Sequence, residues 1–257
     1  MEFLSWKVED GVAIVTLNRP PANALARQLI EELDTILDEV EQDDSARVVL
    51  LHGEGRFFSA GADIKEFTNV KTGEEFSRLA ENGQNVFEKL ETFHKPVIAA
   101  IHGAALGGGL ELAMACHMRF VTESAKLGLP ELQLGIIPGF AGTQRLPRYV
   151  GVAKAAEMMF TSDPISGVEA VQWGLANRAY ANEELLPKSL EIAKKIAKKS
   201  PVALKAAIQM LQYSKPASFF EGVKAEAESF GTVFVSEDAK EGITAFIERR
   251  VPVFQGK

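Results

Sequence analysis

The stretch VIAAIHGAALGGGLELAMAC at residues 97–116 decides the fold. It begins with VIAAIH, a short apolar run of strand length, which passes directly into the glycine-rich segment 103–109. An apolar helical segment then follows without a break. Strand, tight loop and helix in immediate succession predict an α/β fold whose strands pair largely in parallel.

The same alternation extends in both directions from this stretch. Further strands are predicted at residues 12–17, 47–52 and 119–123. Helices are predicted where apolar residues recur with a period of 3.6, over residues 25–40 and 74–93, the first of them capped by Asn23.

The second half of the chain has a different pattern. After about residue 136 the signal is almost entirely helical, with amphipathic stretches at residues 184–199, 202–213 and 216–230. We therefore expect an α/β core over residues 1–199 and a helical region over residues 200–257. No low-complexity linker separates them, so one compact unit is expected.

Composition excludes several classes of protein. The net charge is -7, whereas nucleic-acid-binding surfaces normally carry a basic excess, so we expect no nucleic-acid partner. No apolar run reaches the ~20 residues of a membrane span, and the start lacks a signal-peptide profile. The single cysteine, Cys116, fits a reducing compartment and a buried packing role. These features predict a soluble, cytoplasmic protein without a membrane partner.

The segment SAGADIKE at residues 59–66 combines a turn with a helix start. Gly61 can adopt a positive φ, and Asp63 is a good N-cap that Glu66 could complete as a capping box. The N–H of Ala62 would then lie just before a helix N-terminus, where anions are favoured. The alternative is a capped helix after a tight turn, with no ligand.

The glycines of residues 103–109 offer a second position where a backbone N–H could bind an anion. The segment lacks both the G-x-G-x-x-G spacing of dinucleotide sites and the lysine of a P-loop, so nucleotide phosphate is disfavoured. Consecutive glycines allow a ligand to come close to the backbone, and Gly108 is the candidate second N–H donor. A tight turn required only for packing is the alternative.

Two glutamates lie in apolar surroundings. Glu111 would fall in the first turn of the helix after the glycines, and Glu131 follows Pro130 in GLPELQLGIIPG. A carboxyl group in such a setting resists ionisation or finds a partner. Both could be simple first-turn residues. Together with two backbone donors, they instead predict proton transfer beside a bound oxyanion. The four histidines have no metal-ligand spacing, and no G-x-S-x-G motif is present.

These motifs together resemble the enoyl-CoA hydratase (crotonase) family over nearly the whole chain. The resemblance is carried, in order, by NRPPANAL at 18–25, FFSAGADIKEF at 57–67, HGAALGGGLELAMACHMRF at 102–120, LGLPELQLGIIPGFAGTQRLPR at 127–148 and AFIERR at 245–250. It implies a crotonase-type spiral of ββα turns with a helical C-terminal trimerisation region, assembled as a homotrimer or a hexamer of two trimers.

The resemblance also implies roles for individual residues. Glu111 and Glu131 would be catalytic, and the N–H groups of Ala62 and Gly108 would form an oxyanion hole for an acyl-CoA thioester. The residues expected to bind substrate or CoA are Pro21, Ala22, Ala60, Asp63, Ile64, Lys65, Gly139, Phe140, Phe246 and Arg249.

The implied reaction is reversible syn addition of water to a 2-trans-enoyl-CoA, without a further cofactor, because the thioester already acidifies C2. The alternatives are an isomerase of the same family, which can work with one carboxylate, and a non-catalytic acyl-CoA-binding scaffold. The sequence departs from the family pattern in a loop at residues 20–23 that looks one residue shorter than in some members. Phe140 stands where several hydratases have a small residue, which is expected to alter the range of acyl chains.

Overall fold

The computed structural model describes residues 1–67, 72–215 and 218–253. The strands in chain order are β1 Leu4–Glu9, β2 Val12–Leu17, β3 Val48–Gly53, β4 Val97–Ile101, β5 Ala104–Leu106, β6 Met118–Thr122, β7 Lys126–Gly128, β8 Ile165–Ser166 and β9 Arg178–Tyr180. The helices are α1 Arg27–Gln42, α2 Ile64–Phe67, α3 Gly73–Thr92, α4 Gly108–Ala115, α5 Gly142–Thr161, α6 Gly167–Gln172, α7 Asn182–Ala197, α8 Pro201–Gln212, α9 Ser218–Phe234 and α10 Glu237–Glu248. A 3₁₀ helix spans Glu131–Leu134.

The strands form two sheets. The larger sheet has the order β1-β2-β3-β4-β6-β9, and every pair in it is parallel except β1 with β2. The smaller sheet has the order β5-β7-β8. Since β4 belongs to one sheet and β5 to the other, the chain changes sheets at Gly103, the first residue of the glycine-rich segment.

The apolar core lies on both faces of the larger sheet. Along β2, Ala13, Val15 and Leu17 pack on the side of α1 and α3, whereas Val12 and Ile14 pack on the side of α7. This period of two is what a strand buried on both faces requires. The rigid sheet fixes the positions of the loops at the carboxyl ends of its strands.

Four of the predicted strands are confirmed, but others were missed. The β1–β2 hairpin turns at Asp10 and Gly11, both with positive φ. The short strands β8 and β9 fall within the half expected to be almost entirely helical, and β9 completes the edge of the larger sheet beside β6. Two or three residues per strand leave too little periodicity to detect.

The predicted cap of α1 by Asn23 is wrong. Asn23 has a φ of 50°, and its side chain bonds the N–H of Arg19 and the carbonyls of Glu54 and Phe57. The helix begins only at Arg27, whose N–H donates to Glu66 Oε2 at 2.8 Å. An isolated sequence window cannot show that this cap comes from a residue 39 positions away.

Glu66 therefore does not complete the capping box expected around Asp63. The N–H of Asp63 donates to the carbonyl of Leu25 instead, at 3.1 Å. Asp63 does act at the start of α2, where its Oδ1 accepts the N–H of Lys65. Its Oδ2 pairs with Arg19 Nη2 at 2.6 Å, which ties α2 to the loop that follows β2.

The helical C-terminal region packs onto the core through α9. Gly73 of α3 approaches Gly231 of α9 so closely that a Cβ on Gly73 would lie 2.7 Å from the Gly231 carbonyl oxygen. Phe76 of α3 contacts Phe230 and Phe234 of α9. Pro216 and Ala217, the start of the third predicted amphipathic stretch, lie outside the described residues. Among the residues that are described, no helix has the length and apolar character needed to cross a lipid bilayer.

Glu32 of α1 anchors the N-terminal segment, whose Glu2 and Phe3 reach the cavity described below. Its carboxylate accepts the N–H groups of Glu2, Phe3 and Leu4 at 2.8–2.9 Å. Burial alone would raise the pKa of Glu32, but these backbone donors outweigh it, so the pKa is lowered.

Glu32→Gln should lower the free energy of unfolding at neutral pH by about 1–3 kcal/mol, because an amide cannot accept all three N–H groups. A carboxyl with a lowered folded pKa stabilises the protein above its unfolded pKa and loses that effect as pH falls. The difference from wild type should therefore shrink on acidification. Urea unfolding at neutral and acidic pH measures it, with the exposed Glu31→Gln as control. A pH-independent difference, or one no larger than that of the control, would contradict this role.

Candidate active site

Two loops meet at the carboxyl ends of β3 and β4. The N–H of Ser59 donates to the Ala104 carbonyl, and the N–H of Leu106 donates to the Ser59 carbonyl, both at 3.1 Å. This pairing brings Ala62 beside Gly108, since a Cβ built on Gly108 would lie 3.4 Å from the Ala62 nitrogen. The two predicted donor positions, which are 46 residues apart in sequence, are thus neighbours.

The backbone at both positions leaves an N–H group available. Gly61 and Gly107, the residues before Ala62 and Gly108, have φ of 108° and 51°, which glycine adopts without strain. Gly108 is the first residue of α4, where an N–H has no partner within the helix. Within the described ranges neither the Ala62 N–H nor the Gly108 N–H has an acceptor. Both residues line the same cavity.

Glu111 lies in the first turn of α4 and is only 1% exposed. Its Oε1 accepts the N–H of Phe140 at 2.8 Å and the N–H of Gly142 at 2.7 Å. Burial, and then the negative charges of Glu131 and Glu226, raise its pKa well above the usual range, although the two N–H donors oppose the rise. The carboxyl is held at one oxygen and lines the cavity.

Glu131 begins the 3₁₀ helix after Pro130 and has a contrasting environment. Although the residue is partly exposed, its Oε2 is buried and has no hydrogen-bond partner in the described structure. Its Oε1 lies against Gly107, where a Cβ would be 2.7 Å away. Burial raises the pKa of Glu131 to about 8, which favours the protonated form of this carboxyl.

The two carboxyl groups therefore lie in one pocket but have different hydrogen-bond donors. Two N–H donors stabilise negative charge on Glu111, whereas Glu131 has no donor to its buried oxygen. A pair of titratable groups with unequal environments can divide the roles of acid and base, although they titrate as a unit. Beside two free N–H groups, this pair can move a proton while an oxyanion is held.

The shared cavity has a volume of about 880 Å³, a size that accommodates a substantial organic ligand. In addition to Ala62, Gly108, Glu111 and Glu131, the expected ligand-binding residues that line it are Pro21, Ala22, Ala60, Asp63, Ile64, Lys65, Gly139, Phe140 and Phe246. Arg249 does not line it. This residue is exposed at the end of α10, and its contact with CoA stays a prediction.

Sequence reasoning missed one carboxylate at the site, Glu226 of α9. It is 4% exposed and accepts the N–H groups of Ala141 and Thr143. Burial raises its pKa to about 7. A signal was present in the sequence, because Glu226 falls on the apolar face of its helix, next to Ala227 and one turn before Phe230.

Cys116 takes no part in the site. Its side chain is buried, with Sγ 3.6 Å from the carbonyl oxygen of Leu112. Burial raises the pKa of the thiol to about 12, which keeps it protonated and unreactive at neutral pH. The predicted packing role is consistent with this environment.

The chain is similar to known proteins over nearly its whole length. The sequence profile of the enoyl-CoA hydratase/isomerase family matches residues 7–257. The chain is 56% identical to a probable enoyl-CoA hydratase of Bacillus subtilis, over 100% of both chains. It is 44% identical to a short-chain-enoyl-CoA hydratase of Clostridium acetobutylicum, covering 94% of this chain and 93% of the relative.

The fold is shared as well. A crystal structure of an enoyl-CoA hydratase from Bacillus anthracis superposes with a TM-score of 0.80 at 39% identity, covering 100% of both chains. The crotonase-type α/β fold expected from the sequence is thus confirmed. The two free backbone N–H groups and the two glutamates lie within that fold, and the chain belongs to the enoyl-CoA hydratase/isomerase family.

Proposed function

We propose that this protein is an enoyl-CoA hydratase that adds water reversibly to a 2-trans-enoyl-CoA and gives a 3-hydroxyacyl-CoA. The observation that carries the proposal is the meeting of two unpaired N–H groups with two differently supported carboxyls in one cavity. The names of the relatives, from the probable hydratase at 56% identity onward, support the same reaction.

The N–H groups of Ala62 and Gly108 donate hydrogen bonds to the thioester oxygen of the substrate. Attack of water at C3 pushes electron density onto this oxygen, and donors already in place stabilise the developing enolate. Glu111, whose ionised form is supported by two N–H groups, orients and activates the water. Glu131, in the protonated form that its burial favours, delivers a proton to C2. No further cofactor is needed, because the thioester itself acidifies C2.

The mouth of the cavity accommodates CoA. The backbone of Asp63, Ile64 and Lys65 holds the adenine, and Pro21 and Ala22 lie along the coenzyme. Phe246 contacts its adenosine phosphate end from within the same chain, since it lines the cavity although 58% exposed.

Arg249 serves the CoA of a neighbouring subunit in a homotrimer or hexamer. Exposed apolar side chains on α8 and α10 support such an assembly, and they include Val202, Met210, Leu211, Phe246 and Ile247. We place the enzyme in the cytoplasm.

The reaction is tested by offering the purified protein a 2-enoyl-CoA and a 3-enoyl-CoA in separate incubations. A mass increase equal to one water from the 2-enoyl-CoA supports hydration. Conversion of the 3-enoyl-CoA without hydration identifies an isomerase, which needs only one carboxylate at the position of Glu131. If neither substrate is converted, the result favours a non-catalytic acyl-CoA-binding scaffold.

Phe140 limits the length of the acyl chain. Its ring contacts Phe87 edge to face at 5.3 Å and lies against Gly108, where a Cβ would be 3.2 Å from ring carbons. The ring also fills the space beside Gly83 of α3. An aromatic ring at this end of the cavity favours short substrates, as does the short-chain name of the Clostridium relative.

Phe140→Ala should raise the kcat/KM ratio of 2-decenoyl-CoA to crotonyl-CoA by about tenfold or more, because the added space accommodates several methylene groups. Initial rates with the two substrates measure the change. Phe160→Ala, at a residue that is 74% exposed, is the matched control. If the ratio of the two kcat/KM values is unchanged in Phe140→Ala, residues other than Phe140 limit the length of the acyl chain.

A further inference from the structure

The loop 140–143, whose last two residues begin α5, offers four consecutive N–H groups, which two carboxylates bind alternately. Glu111 accepts the N–H groups of Phe140 and Gly142, and Glu226 accepts those of Ala141 and Thr143. The hydroxyl of Thr143 also donates to Glu226. The left-handed conformation of Ala141, with a φ of 68°, helps to direct successive N–H groups to opposite sides. The loop is thus clamped between α4 and α9.

Two further side chains hold the carbonyls of this loop. Arg145 Nη1 donates to the Phe140 carbonyl at 2.8 Å, and Gln84 Nε2 donates to the Gly139 carbonyl at 3.0 Å. Gln84 also lies 3.4 Å from Glu226 Oε1. Because α5 has no side-chain cap of its own, Glu111 and Glu226 together supply the acceptors for its N-terminal N–H groups.

We infer that Glu226 is a positioning residue for the hydration reaction, fixing the loop 140–143 and through it the carboxylate of Glu111. The inference rests on the proposed function. Without Glu226, the N–H groups of Ala141 and Thr143 lose their acceptor in a buried setting, and the loop must rearrange to find another. Since Glu111 is bound to the same loop, its carboxylate moves with it. A displacement of ~1 Å can cost up to about 10²-fold in rate.

Glu226 also affects the charge of the site. The charged and titratable groups that face it are Glu111 on α4, Glu131 on the 3₁₀ helix and Arg145 on α5. The negative charge of Glu226 raises the pKa of both other glutamates, whereas Arg145 opposes the rise in the pKa of Glu226. A neutral residue at position 226 would make the Glu111/Glu131 pair easier to ionise.

The test compares Glu226→Gln with Glu228→Gln, an exposed glutamate on the same helix. Glutamine keeps the size of the side chain but can accept at only one oxygen. We expect kcat for crotonyl-CoA to fall by about 10- to 100-fold in Glu226→Gln, with KM changed by less than about threefold. The apparent pKa values of the pH–rate profile should move to lower pH. The Glu228 variant should match the wild type.

A kcat and pH profile equal to those of the Glu228 control would overturn the inference. If Glu226→Gln cannot be purified folded, Thr143→Val removes the hydroxyl that donates to Glu226, together with its acceptor role towards Gln144. It should lower kcat by about threefold at unchanged KM, and an unaltered kcat would then overturn the inference.

A crystal structure of Glu226→Gln separates this inference from the proposed function, because it does not depend on activity. We expect the loop 140–143 and the Glu111 carboxyl to be displaced relative to the wild type. Superimposable positions would overturn the positioning role even in an active enzyme. An inactive wild type would instead refute the proposed reaction. The crystal structure of Glu226→Gln would then still show whether Glu226 positions the loop 140–143.

Discussion

Replacing Glu131 or Glu111 by glutamine should lower kcat for hydration by about 10²–10⁴-fold in each case, the range of general acid–base catalysis. Glutamine preserves the shape of both side chains but can neither donate the proton to C2 nor accept one from water. KM should change little, because neither carboxyl is expected to bind the CoA portion of the substrate. Steady-state rates with crotonyl-CoA measure the effect.

Glu123→Gln is the matched control for both substitutions, since Glu123 is exposed at the end of β6 and does not line the cavity. Melting temperatures should show that the glutamine variants are folded. Glu131→Gln is expected to be at least as stable as the wild type at alkaline pH. The reason is that a buried carboxyl with a raised folded pKa loses stability as pH rises through that pKa. Near-normal rates for both active-site variants would contradict the proposed acid–base mechanism.

Gly108→Ala should lower kcat/KM by about 10²–10³-fold, the cost of losing one oxyanion-hole donor. The added methyl group would lie 3.4 Å from the Ala62 nitrogen and 3.2 Å from the ring of Phe140. It would therefore occupy the space between the two N–H groups, where the thioester oxygen is expected. We expect the glycine to be needed here for close approach of the ligand, because helical propensity alone would favour alanine.

Gly55→Ala provides the control for this substitution. Gly55 lies in a turn with open space around it and outside the cavity, so a methyl group there can affect stability through its positive φ but should not affect turnover. Full activity of Gly108→Ala would show that the oxyanion is held elsewhere. Equal losses in both variants would indicate a general effect on folding.

The elements around the site were predictable because their signals are local. The strand of residues 97–101 and the glycines after it can be recognised within a few residues. Glu111 and Glu131 stand out because carboxyls in apolar segments need an explanation. The juxtaposition of Ala62 and Gly108 followed only from the family resemblance, since no local pattern places residues 46 positions apart in contact.

The missed features depend on long-range contacts. Glu66 caps α1 across 39 residues, and Glu226 reaches the loop before α5 across about 85 residues. Asn23 was assigned to a cap because it precedes a periodic segment, but tertiary hydrogen bonds to Phe57 and Glu54 outweigh that local preference. By contrast, the Asp10–Gly11 turn could have been predicted from the sequence, because Asp-Gly is a strong signal for a two-residue hairpin loop.

The most direct test of the account is a crystal structure of the protein with butyryl-CoA, a saturated thioester that cannot be hydrated. We predict that the thioester oxygen lies within about 2.7–3.1 Å of both the Ala62 and the Gly108 nitrogens, with the carboxyls of Glu111 and Glu131 facing the carbons next to it. A thioester oxygen that contacts neither nitrogen, or an acyl chain remote from both glutamates, would contradict the account.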